Sequence, residues 1–82
     1  MANRKPPQQV KTRAVRFTFE VERETDGRWI AEIPAIPGAM AYGTSAKQAK
    51  AKAYALALYA IADDVEKSNE IPDSIMVQSA LA

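Results

Sequence analysis

The sequence predicts a small α+β domain: one helix laid on a small antiparallel sheet, in the order β-β-β-α-β. Three observations carry this. Apolar and polar residues alternate with a period of two over Ala14–Glu22 and again over Trp29–Ile33. A corner punctuated by Pro34, Pro37 and Gly38 separates the second stretch from a short third one. A long Ala-rich segment then opens on Ser45-Ala46-Lys47-Gln48, the S-x-x-Q pattern of a helix capping box.

The first strand is expected where Val15, Phe17, Phe19 and Val21 alternate with Arg16, Thr18, Glu20 and Glu22. Thr25-Asp26-Gly27 is the turn. A two-residue Asp-Gly loop would pair Val21 with Glu32 and set the phenylalanine face against a carboxylate. Shifting parity by one pairs Val21 with Ala31 and Phe19 with Ile33, so the apolar faces coincide. That register requires a three-residue loop with Gly27 in the left-handed region. On the second strand Trp29, Ala31 and Ile33 share one face, while Ile30, Glu32 and Pro34 take the other. Trp29 is expected to pack at the core or sheet edge rather than to serve as a ligand platform.

After the proline corner, Ala39–Tyr42 read as a short third strand, and Gly43-Thr44 lead into a helix over Ala46–Ser68. Ser45 should accept from the backbone N–H of Gln48, whose side chain reaches back to the N–H of Ser45. On a helical wheel Ala49, Ala53, Leu56, Ala57, Ala60 and Ile61 form the core stripe, which Tyr54, Leu58 and Val65 widen beyond an ordinary core-facing width. The polar strip is narrow: Gln48, Lys52, Asp63 and Glu66, with Tyr59 among them. Asn69 suits a left-handed C-cap, and Pro72 stops any continuation. Ser74–Gln78 form a last strand carrying Ile75 and Val77, with Leu81 near the end.

Eighty-two residues make one domain with a thin core, and a chain of this size buries roughly 60% of its unfolded surface. There is no His and no Cys, which excludes disulfides, His/Cys zinc sites, Ser-His triads and Cys-His pairs. Glycines at 27, 38 and 43 are too far apart for a phosphate-binding loop. No cofactor and no enzymatic activity are expected. The remaining catalytic option is a metal-assisted nuclease built on Glu20, Glu22 and Glu32, although spaced glutamates on a solvated sheet face are ordinary. No apolar run approaches the ~20 residues of a membrane span and no signal peptide opens the chain, so a cytoplasmic protein is expected.

Charge is uneven although the formal net charge is only +1. Arg4, Lys5, Lys11, Arg13 and Arg16 precede the first acid, Glu20. Residues 1–13 are therefore read as a disordered basic leader, with nucleic-acid binding as its functional alternative, and residues 14–82 as the folded domain. The broad apolar helix face, with Tyr54, Leu58 and Val65 as its outer part, points to a contact between copies of the chain, a dimer or tetramer.

Taken together, Asp26-Gly27-Arg28-Trp29-Ile30-Ala31-Glu32-Ile33-Pro34, Ile36-Pro37-Gly38, Gly43-Thr44-Ser45, Gln48-Ala49 and Ile71-Pro72 resemble the HicB-like antitoxin family in order and spacing, over Val15 to about Val77. The resemblance implies a partial ribonuclease-H-like fold. It also implies a domain that binds and blocks a small basic RNA-cleaving toxin as a dimer or tetramer. Glu20, Glu22 and Glu32 would then face the toxin. Thr44 replaces the common Asp, Lys47-Gln48 the usual acidic pair, and Ala39 the common Cys. The chain ends at Ala82, where repressor members continue into a DNA-reading module, so DNA binding by this chain alone is not expected. The alternatives are an orphan structural or regulatory interaction module without a toxin and a nucleic-acid binder acting through the leader.

Overall fold

The computed structural model describes residues 14–79; the leader and Leu81 lie outside the described residues. The elements are β1 (Ala14–Arg23), β2 (Trp29–Glu32), β3 (Met40–Gly43), α1 (Ala46–Ser68) and β4 (Ser74–Ser79). They form an α+β domain with one four-stranded sheet in the order β3-β2-β1-β4.

Matching of apolar faces does select the hairpin register: Val21 lies opposite Ala31, with Glu20 opposite Glu32 and Arg23 opposite Trp29. The N–H of Glu24 donates to the carbonyl of Arg28 at 2.7 Å, which leaves Thr25-Asp26-Gly27 as the three-residue loop. Gly27 sits at φ 93°, a conformation that costs a side-chain-bearing residue dearly. Within the turn, Asp26 accepts from the backbone N–H of Arg28 at 3.0 Å and from its Nε at 2.8 Å.

The proline corner closes on itself. The N–H of Ile33 donates to the carbonyl of Ala39, and turns at Ile33–Ile36 and Ile36–Ala39 fill the interval. Gly38 takes φ 87°, as a corner this tight requires. The third strand runs one residue later than the alternation suggested, because Ala39 is spent closing the loop and lies buried there. β3 pairs antiparallel with β2, Ala31 opposite Ala41.

The last strand requires a correction to the antiparallel sheet expected from the sequence. β4 runs parallel to β1, with Val15 opposite Ile75 and Phe17 opposite Val77, so the sheet is mixed. A crossover that includes the 23-residue helix returns the chain to the edge opposite β3 and so delivers β4 parallel to β1.

Helix α1 starts and stops where its caps dictate. Ser45 Oγ accepts from the N–H of Gln48 at 3.0 Å. The Gln48 side chain reaches one residue further back than expected, accepting from the N–H of Thr44 at 2.7 Å instead of that of Ser45. Asn69 adopts φ 60° and its N–H donates to the carbonyl of Val65. Ala49, Ala53 and Ala57 are fully buried, and their small side chains let the helix backbone approach the sheet closely. They complete a core with Phe17, Phe19, Ala31, Ile33 and Ala39. Leu56 and Ala60, placed in the core stripe from the sequence, are instead exposed, Leu56 by 40%. The alanine ridge brings the helix down along a line that leaves their side of it outside the sheet.

Candidate functional site: two uncovered surfaces

The helix packs closely on β3 and β2, less closely on β1, and its backbone stays away from β4. One helix cannot cover four strands. On the inner face of β4, Val77 is half-buried against the core, whereas Ile75, 37% exposed, lies outside the helix's footprint. Beside it, a cleft of about 240 Å³ opens between β1, the proline corner and the C-terminal half of α1. Val15, Phe17, Ile36, Ile61, Val65 and Pro72 supply its apolar wall, with Asp64 and Glu70 among its polar lining.

The three helix residues assigned to an oligomer contact fall on the flank that adjoins this region. Tyr54 is half-buried and packs against the core cluster, Val65 is half-buried and lines the cleft, and Leu58 is 40% exposed. The side chain sequence reading undervalued is Tyr59, 74% exposed and the most open aromatic of the domain. Its signal was present in the sequence: an aromatic within an otherwise charged strip is costly to leave in water.

The second surface is the sheet face turned away from the helix. Strand alternation places Glu20 and Glu22 of β1 and Glu32 of β2 on it, all exposed. With Val21 and Ile30 they line a shallow concavity. Ile30, Met40, Tyr42 and Met76 share this face, and Met40 and Met76 are 46% and 44% exposed. Arg28 lies 4.3 Å from the ring centre of Tyr42 and pairs with Asp26, which fixes a cation at one border of the acidic patch. The glutamates thus come together as expected, and Ile30 stands on their face as the alternation of β2 placed it, but Met40, Tyr42 and Met76 were missed, because the period-two pattern of short β3 and β4 is too brief to declare its outward side.

Trp29 is partly buried against the core with Arg23 5.8 Å from its ring centre, a packing role. Ser45 and Gln48 serve the helix start alone. Among the described residues no group of three or more acidic side chains stands close enough to hold a metal ion. No helix among them is long and apolar enough to cross a membrane. No family model matches the chain, and neither a curated protein nor a solved structure shows significant similarity to it.

Proposed function

We propose that the chain is a HicB-like antitoxin-type protein that self-associates and binds a small basic protein, an RNA-cleaving toxin, to block it. The observation that carries the reading is the placement of Glu20, Glu22 and Glu32 on one exposed sheet face. Among the described residues none of the three has a hydrogen-bond or ion-pair partner. Three uncompensated carboxylates beside exposed Met40 and half-buried Ile30 combine the charge that steers a cationic protein with the apolar contact that retains it. The resemblance in the β1–β2 hairpin, the proline corner and Ile71-Pro72 supports the same reading, as does the β-β-β-α-β order. In this reading the protein is not an enzyme, needs no cofactor, and acts in the cytoplasm, where the RNA is.

The reading expects a gene for a small basic ribonuclease beside that of this chain, and the test is inhibition of that enzyme. The wild type should form a complex with it and suppress its RNA cleavage, and the Glu20→Lys, Glu32→Lys double variant should lose both. A folded double variant that still inhibits would remove the sheet face from the site. Absence of any such neighbouring gene would favour the orphan interaction module.

A further inference from the structure

Ala51, Ala55, Leu58 and Ala62 are exposed and Val65 half-buried, and they follow one another at spacings of four and three along a single flank of α1. This is the spacing of the seam between two paired helices. From Ala55 to Val65 its side chains alternate in size, and the alternation favours one pairing. In an antiparallel pair, residues at equal height have sequence numbers with a constant sum. With that sum at 120, Leu58 meets the second copy's Ala62 and Val65 meets the second copy's Ala55, so each large residue fills the space beside a small one. A parallel, in-register pair would set Leu58 against Leu58 and alanine against alanine, leaving gaps between the layers.

Charge selects the same register. Lys52 and Glu66 lie on the solvent side of the seam, and among the described residues neither has a hydrogen-bond or ion-pair partner, whereas Lys67 pairs with Asp63 at 3.1 Å. Their own helix offers them no opposite charge: Lys52 has Gln48, Ala49, Ala55 and Leu56 one turn away, and Glu66 has Ala62 and Asp63 before it and the Asn69 cap after it. In the antiparallel register Lys52 falls two residues, about 3 Å along the axis, from the height of the second copy's Glu66, a gap their long side chains span, and twofold symmetry makes the contact twice. The parallel arrangement would set Lys52 near the second copy's Lys47 and Glu66 near Ile61, and so would pair neither charge. Tyr59, the most exposed aromatic of the domain, then lies beside its own counterpart near the axis.

We propose that α1 pairs with α1 of a second copy of this chain, antiparallel and centred near residue 60, with Leu58 against Ala62 and Lys52 against Glu66. The helix sits toward the β3 side of the sheet, so its partner enters the space the helix leaves over β1. The inference deepens the self-association in the proposed function and is independent of the toxin.

The experiment combines charge reversal with distance measurement in the full chain. Lys52→Glu and Glu66→Lys should each weaken dimerisation about tenfold by sedimentation equilibrium, and the double reversal should restore it. A pure net-charge effect would move the two single variants in opposite directions. Glu66→Lys also removes an acid near the negative end of the helix, which keeps weakened association distinct from unfolding. Because the chain has no cysteine, spin labels at Asp63→Cys and Lys47→Cys report geometry without background. Antiparallel pairing puts the two copies of position 63 about 9 Å apart along the axis and those of position 47 about 39 Å apart. Restoration by the double variant together with a short 63–63 and a long 47–47 distance supports the proposal. A monomer at all concentrations, equal distances at the two positions, or a double variant that stays dissociated overturns it. A dimer through another face would leave inhibition of the ribonuclease, tested at Glu20 and Glu32, untouched.

Discussion

Glu20 and Glu32 stand directly opposite each other across the β1–β2 pair. Side chains in that position lie roughly 4.5–5.5 Å apart at Cβ, and like charges there oppose folding. The register that packs half-buried Val21 against buried Ala31 makes the juxtaposition unavoidable. Glu32→Gln should therefore stabilise the isolated protein by about 0.2–1 kcal/mol in urea denaturation at low ionic strength. The gain should shrink as salt is added, since the repulsion is exposed and screened. The same substitution should weaken binding of a basic partner. Stabilisation that persists in high salt would point to a cause other than charge.

Gly43 lets the helix begin where it does. A Cβ there would come within 2.5 Å of the backbone nitrogen of Ala49, which cannot step aside without moving the first turn of α1. Gly43→Ala should cost about 1–3 kcal/mol, read as a lowered urea midpoint. An unchanged midpoint would mean the Gly43–Ser45 connection can shift at no cost.

The helix cap gives a smaller and separable effect. Ser45→Ala removes the acceptor for the N–H of Gln48 and should cost about 0.5–2 kcal/mol. Gln48→Ala leaves that acceptor in place and frees the N–H of Thr44 to exposed solvent, so it should cost less. The reverse ranking by thermal melting would show that the Thr44 bond is the more important of the two.

Asp26 supplies a pH signature. The backbone N–H of Arg28 is the main cause holding its carboxyl below the ordinary carboxylate range, with the Arg28 guanidinium adding to it. A carboxylate whose pKa is lowered by folding contributes stability that is present above its unfolded value and is lost as pH falls through the folded one. Asp26→Asn should lower stability modestly at neutrality and flatten the acid limb of the profile, because the contribution it removes is already lost at low pH. Direct NMR titration of Asp26 should give a midpoint below that of an unstructured aspartate.

A last prediction concerns the helix flank. Leu58→Glu places a charge within an apolar seam and should shift a dimer toward monomer at micromolar concentration, whereas Tyr54→Glu should also destabilise the monomer, because Tyr54 already packs on the core. Sedimentation equilibrium and circular dichroism on the same samples separate the two effects.

Local information sufficed for much of this molecule. Face matching across Thr25-Asp26-Gly27 decided the hairpin register, because a slip of one residue would have buried Glu32. Ser45 and Asn69 marked the first and last turns of α1 through bonds made within four residues. The three glutamates shared an outward face because strand alternation is a property of the chain itself. Tertiary structure alone decided what depends on where whole elements lie. The parallel pairing of β4 with β1 follows from the path of a crossover that includes the 23-residue helix, not from anything within Ser74–Ser79. The exposure of Leu56 and the half-burial of Tyr54 follow from the line along which an alanine ridge meets a twisted sheet. A helical wheel gives the angular order of side chains around the axis, but only the contact with a second element sets which angle faces inward.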